Sequence, residues 1–244
     1  MVYGDIKSLS VEDTRVNISF LTWNLALLGR PAFAPQHWEL CDTEEVVREQ
    51  VLAKTPDIVH FQELPGLVPY VETHGMIQAN PRSHSGNLAT LISHELLETE
   101  ISHVAVEGFA LLTTFHSFDL TVANVHLAPG KFSGDQRMSQ ISKIVAASPT
   151  DYLAIIGDTN TRSEEIDVIT AAGLVAPKPP VPTWNSYKNR FHVDAPRFKT
   201  YFTRCFTHPN IRTEKLQVLE GHVIRNDKQF YVSDHFALFG RIQL

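Results

Sequence analysis

A chain of 244 residues with 43% hydrophobic and 20% charged residues has the composition of an ordinary soluble globular protein and the length for one large domain with a substantial core. Its net charge of −6 excludes a protein that coats nucleic acid indiscriminately, yet residues 178–244 hold 11 Lys/Arg against 5 Asp/Glu, a basic region suited to local contact with phosphate. Two cysteines, Cys41 and Cys205, are too few for a disulfide framework and read as reduced structural thiols.

In chain order, residues 1–13 lack the basic and apolar regions of a secretory signal, and no apolar run approaches the roughly 20 residues of a membrane helix, so the expectation is a cytoplasmic or nuclear protein. Asn17 to Trp23 alternates as a half-buried strand that runs into Asn24. After a loop with Pro31 and Pro35, Asp42 or Thr43 caps a helix in which Val46, Val47 and Val51 recur at helical spacing, closed by Pro56. Asp57 to Phe61 is the next strand and ends in Gln62-Glu63. Leu67 to Asn80 shows little pattern, and Pro81 to Asn87 reads as a loop.

Three runs rich in branched and aromatic residues follow, around Leu88–Ile92, His103–Thr114 and Phe118–Val125, and predict antiparallel strands. The last closes on Asn124-Val125-His126. Ser133 and Gln136 have capping-box spacing ahead of a helix with Met138, Ile141, Ile144 and Val145 on its apolar face. The run Ala154-Ile155-Ile156-Gly157-Asp158-Thr159-Asn160 then reads as a buried strand ending in a glycine, a carboxylate and an amide, where reactive groups of open α/β sheets collect. Side chains at i and i+2 leave extended chain on one side, which pairs Asp158 with Asn160 in one pocket. Ser163-Glu164-Glu165 starts another helix that ends near Gly173, Pro177–Pro182 is a surface connection, and Phe198–Phe206 and Phe236–Ile242 are late strands. Thr207 to Tyr231 gives no clear pattern. No internal repeat or domain boundary interrupts residues 1–244, which are expected to form a single domain.

Asn24, Gln62-Glu63, Asn124-x-His126, Gly157-Asp158-x-Asn160 and Ser233-Asp234-His235 stand in an order that resembles the blocks of the endonuclease/exonuclease/phosphatase superfamily. Thr22-Trp23-Asn24, Arg162 with Glu164-Glu165, Thr183-Trp184-Asn185 and Arg197-Phe198 leading to Tyr201-Phe202-Thr203-Arg204 are most similar to the tyrosyl-DNA phosphodiesterase 2 branch. The resemblance implies a four-layered α/β sandwich, two packed mixed and largely antiparallel sheets flanked by helices. It also implies a divalent metal, normally Mg²⁺ with Mn²⁺ as substitute, and phosphoester hydrolysis. The family's Arg-x-Asp motif, whose Asp supports the histidine of Ser-Asp-His, finds its best local match with Lys199 at the Asp position, leaving Asp194 in a shifted register as the alternative.

Within that frame Glu63 is the principal metal ligand, with Asn24 and Asp234 as direct or water-bridged support, since Mg²⁺ prefers hard oxygen donors. Asp158, held by Asn160, orients and deprotonates the attacking water. His126 and His235 contact the phosphoryl oxygens, while Asn124 positions the substrate. Arg162, Trp184 and Arg204 bind substrate, Arg162 by gripping a second phosphate and Trp184 by stacking on a base or an aromatic leaving group. The expected reaction is Mg²⁺-dependent phosphodiester hydrolysis at DNA or RNA ends, with a 5′-phosphotyrosyl bond as one substrate and a monomeric enzyme. Lipid or small-molecule phosphoesters, and a catalytically weak binding protein, are the alternatives. Gly-x-Ser-x-Gly, His-Glu-x-x-His and the Gly-rich loop of nucleotide-binding ATPases do not occur.

Overall fold

Branched and aromatic residues at period two dominate this chain, and they build two sheets. The structure, a computed structural model, describes residues 16–26, 40–64, 71–78, 87–191 and 196–244. The strands of the first sheet are β1 (Asn17–Asn24), β2 (Ile58–Leu64), β3 (His74–Gln78), β4 (Asn87–Ser93), β12 (Arg212–Leu219) and β15 (Ala237–Gln243), in the order β12-β15-β1-β2-β4-β3. Those of the second are β5 (Ile101–Val106), β6 (Ala110–Phe115), β7 (Leu120–His126), β8 (Tyr152–Asp158) and β11 (Thr203–Thr207), in the order β11-β8-β7-β6-β5. Two hairpins stand apart, β9 (Trp184–Asn185) with β10 (Lys199–Thr200) and β13 (His222–Arg225) with β14 (Lys228–Tyr231).

Alternating side chains divide most of the buried apolar residues among three large cores, in four layers. Ile18, Phe20, Ile58 and Ile92 of the first sheet meet Phe115, Val122, Ala154 and Ile156 of the second in the central core. The opposite face of the first sheet, with Leu21, Trp23, Val59 and Phe61, packs on Val46, Val47 and Val51 of helix α1 (Leu40–Lys54). The outer face of the second sheet, with Ala123, Val125 and Ile155, packs on Ile141 and Ile144 of α3 (Gly134–Ala147) and Ile169 of α4 (Ile166–Ala171). Helix α2 (His94–Leu97) is a single turn after β4. The expected α/β sandwich is therefore the observed architecture. Because β1 sits between two cores, it is buried on both faces rather than one.

Several local expectations change. The run His103–Thr114 is a hairpin, since Glu107 (φ 45°) and Gly108 (φ 75°) reverse the chain between β5 and β6. The run Phe198–Phe206 is broken into β10 and β11, and the unpatterned Thr207–Tyr231 supplies β12, β13 and β14. Within the weak segment Leu67–Asn80 lies β3. Ser133 is the N-cap of α3 but its side chain makes no capping hydrogen bond, and Val145 on the expected apolar face is exposed. The loop with Pro31 and Pro35 and most of that at Pro81–Asn87 lie outside the described residues.

Candidate active site

Each sheet contains one parallel strand pair, β1–β2 in the first and β7–β8 in the second, flanked by antiparallel neighbours. Parallel neighbours end at the same sheet edge, so Asn24, Glu63, His126 and Asp158 emerge together. β15 and β11, antiparallel to β1 and β8, begin at that edge and bring Asp234-His235 and Thr203 to it. Glu63 lies in the left-handed region (φ 57°), at the irregularity between Phe61 and Leu64 where the β2–β4 ladder shifts register. Gly157 lets β7 and β8 close tightly, because a Cβ there would lie 2.3 Å from the Val125 carbonyl oxygen.

The Asn24 amide joins the two sheets. Its Nδ2 donates to Glu63 Oε1 and to Asp158 Oδ2, both at 2.9 Å, while its Oδ1 accepts from the Ala26 N–H. His126 Nε2 stands 3.6 Å from the same two carboxylate oxygens. On the other side of Asp158, His235 Nε2 is 3.6 Å from Oδ2 and 4.0 Å from Asp234 Oδ1. Asn160, also left-handed at φ 50°, donates its backbone N–H to Asp158 Oδ1 and its side-chain amide to the Leu127 carbonyl. Burial pushes the Glu63 carboxyl above its usual pKa, an effect opposed by His126 and Asn24 and reinforced by Asp234. Ligand atoms of Glu63, His126 and Asp158 all lie within 4.8 Å of one another. Crowded carboxylates of this kind fit a hard divalent cation, which would replace the opposing charge that burial removes.

These groups floor a cleft of about 640 Å³. One wall is aromatic: Trp184 stacks on Phe198 with centroids 5.7 Å apart, Phe202 meets Trp184 edge-on at 5.5 Å, and the Arg162 guanidinium lies 4.4 Å from the Phe202 centroid. The facing rim is Ala128-Pro129-Gly130 with Gln136 and Gln140 of α3. A fully buried arginine fixes that rim. Arg137 donates to the Ala128 and Gly130 carbonyls at 2.8 and 2.9 Å and forks onto Glu165, whose own backbone N–H bonds the Arg162 carbonyl.

Of the residues expected at the site, Glu63, His126, Asp158, Asn160, Arg162, Trp184, Asp234 and His235 line this cleft. Asn24 lies just beneath it as a brace. Two are kept away. Asn124 faces the opposite sheet, donating to the Ala89 and Phe61 carbonyls and accepting from Gln62. Arg204 is buried beside the Tyr201 ring, 5.4 Å from its centroid, where burial lowers its pKa to about 10. Beside His235, Lys199 is exposed at the start of β10, Asp194 lies outside the described residues, and among the described residues Thr203 brings its Oγ1 to 3.5 Å from His235 Nδ1. Sequence reasoning overlooked the Arg137–Glu165 clamp, although Arg137 falls on the same helical stripe as Ile141 and Ile144, a signal that an arginine points inward.

No protein-family model matches the chain, and no curated protein matches it in sequence. Solved structures do. It is similar to TDP2 from Caenorhabditis elegans in truncated form, with a TM-score of 0.68 and 19% identity over 93% of this chain and 98% of that one. D. rerio TDP2 complexed with a single-strand DNA product gives a TM-score of 0.69 and 17% identity over 93% and 98% of the two chains. The human Nocturnin catalytic domain with a bound sulfate anion gives 0.59 and 12% over 94% and 96%. At these identities the likeness establishes the fold, and it is the fold that the five sequence blocks imply.

Proposed function

We propose that this chain is a metal-dependent phosphoric ester hydrolase of the phosphodiesterase type that acts on nucleic-acid ends, 5′-phosphotyrosyl DNA among them. The observation that carries the reading is the meeting of Glu63, His126 and Asp158, with their ligand atoms within 4.8 Å, on the floor of a cleft walled by aromatic rings and a guanidinium. The complex of the D. rerio neighbour with single-strand DNA product supports a nucleic-acid substrate.

Glu63, with Asp158 or Asp234, would hold the cation, Mg²⁺ or Mn²⁺. Bound there, the ion supplies charge neutralisation to the phosphoryl oxygens. Asn24 keeps Glu63 and Asp158 apart in fixed orientation. Asp158, with Oδ1 tied to the Asn160 N–H, accepts the proton of the attacking water as the new P–O bond forms and the ester P–O bond breaks, the leaving oxygen departing as a phenolate or alkoxide that takes its proton from solvent. His126 and His235 present Nε2 to the non-bridging oxygens, where donors contribute most as negative charge develops. Arg162 and the Trp184–Phe198 stack receive the next phosphate and an adjoining aromatic group.

The test is a substrate panel with and without Mg²⁺ and Mn²⁺, including a 5′-tyrosyl oligonucleotide and a phosphatidylinositol phosphate. Metal-dependent release from the oligonucleotide is expected, lowered about a thousandfold by Asp158→Asn and by Glu63→Ala. Release no faster than from Asp158→Asn, or turnover of the lipid alone, would overturn the reading.

A further inference from the structure

The His126 and Arg162 sides of the cleft come from different segments of the chain, and one buried ion pair joins them. Past His126, every backbone polar group of the next two residues is taken. The Leu127 N–H donates to the Asp158 carbonyl at 2.9 Å, and its carbonyl accepts from Asn160 Nδ2 at 3.1 Å. The Ala128 N–H donates to Gln140 Oε1 at 2.9 Å, and its carbonyl accepts from Arg137 Nη1 at 2.8 Å. The same Nη1 holds the Gly130 carbonyl, while Nε and Nη2 of Arg137 fork onto Glu165. From Glu165 the backbone N–H reaches the Arg162 carbonyl at 3.1 Å, which closes the span.

Arg137 and Glu165 are both buried, yet neither lines the cleft. A buried ion pair contributes little stability that apolar side chains of the same volume would not match. What apolar side chains would not do is fix two carbonyls and a carboxylate around one plane, as a guanidinium does. The pair therefore dictates geometry, and the geometry it dictates is the separation of His126 from Arg162. Charge acts at the second end as well: burial and the Arg137 charge lower the Arg162 pKa, and Glu165 opposes them.

We propose that Arg137 and Glu165 are positioning residues that set the span between His126 and Arg162, so that a substrate held at its second phosphate by Arg162 meets His126 with its reacting phosphate. The inference rests on the phosphodiesterase reading and on the role that reading gives Arg162. It follows that the pair acts chiefly on substrates with two phosphates, and acts through Arg162.

The test compares thymidine 5′-(p-nitrophenyl phosphate) with the same ester carrying a 3′-phosphate, in Mg²⁺. The proteins are wild type, Arg137→Lys, Glu165→Gln, Arg162→Ala and the two combinations with Arg162→Ala. Arg137→Lys keeps the charge and loses the fork, whereas Glu165→Gln keeps the shape and loses the charge. Each should raise KM for the two-phosphate ester about tenfold, with kcat held within about twofold and a smaller change on the one-phosphate ester. In the Arg162→Ala background neither should raise KM further. A lower melting temperature with both KM values unchanged would reduce the pair to a structural role and overturn the proposal. Equal losses on the two esters, or losses additive with Arg162→Ala, would overturn it too. If Arg137→Lys fails to fold, Glu165→Gln decides. Calorimetric titration with thymidine 3′,5′-bisphosphate runs the same cycle without turnover. If no ester is hydrolysed, the phosphodiesterase reading fails, and the pair stands or falls on whether the bisphosphate affinities are coupled. If the esters are hydrolysed and the losses add, the pair fails alone. A wild type that neither hydrolyses the esters nor binds the bisphosphate overturns both.

Discussion

Glu63 carries two costs at once, a left-handed backbone and a carboxyl that burial pushes toward its neutral form. A folded-state pKa raised above the unfolded value means that the ionised residue weakens the fold once pH exceeds the ordinary carboxylate range. Glu63→Gln, which still accepts from Asn24, should therefore raise the metal-free melting temperature at pH 7.5. The same change should abolish the further rise that Mg²⁺ or Mn²⁺ produces in wild type. Thermal scans with and without metal decide this, and a metal-induced rise that survives in Glu63→Gln would remove the residue from the site. Thr203 poses a separate question, because among the described residues its hydroxyl faces His235 Nδ1. Thr203→Val should lower kcat about tenfold with little change in KM, whereas Thr203→Ser should retain turnover, as expected when one contact orients an imidazole. A loss confined to KM would assign Thr203 to substrate binding instead.

At the level of elements, β2 threads a histidine between the sheets. His60 is fully buried, its Nδ1 lies 3.1 Å from the Ile156 carbonyl, and burial pushes its pKa from 6.5 down to about 4. Because the unfolded chain binds the proton first, stability present above pH 6.5 is lost as pH falls from there toward 4, by an amount on the order of 3 kcal/mol. Urea unfolding of wild type and His60→Leu at pH 7.5 and 4.5 should show a smaller pH effect in the variant; equal slopes would sink the assignment. His60 was legible as a strand residue but not as a cross-sheet tie, because period-two patterning reports which way a side chain points and not what it meets. The same limit explains Asn124. It shares the i, i+2 spacing with His126 yet lies one layer deeper, its amide spent on the Ala89 and Phe61 carbonyls. Strand ends, by contrast, were readable wherever an apolar run stopped on a carboxylate, as at Glu63 and Asp158. The β5–β6 turn was missed because Glu107 sits left-handed beside a single glycine inside an otherwise continuous run.

Across the whole molecule, each sheet repeats one local order, antiparallel, parallel, antiparallel: β15-β1-β2-β4 in the first and β11-β8-β7-β6 in the second. No sequence repeat announces this likeness, since the two halves share strand direction and not residues. Functional atoms are consequently split between bodies: Asn24 and Glu63 ride on one sheet, His126 and Asp158 on the other. The 2.9 Å bond from Asn24 to Asp158 crosses the divide. The central core is thus a spacer whose thickness sets the gap between the carboxylates, much as a shim sets the jaws of a caliper. Removing a shim should misalign the jaws before the frame gives way. Ile58→Ala, between the sheets, and Ile144→Ala, between the second sheet and α3, should each cost roughly 2–5 kcal/mol. Only Ile58→Ala should lower turnover at temperatures where both variants remain folded, and equal losses would show that the spacing is set elsewhere. Sequence drift in that filling would then retune the enzyme without touching a single group that meets the substrate.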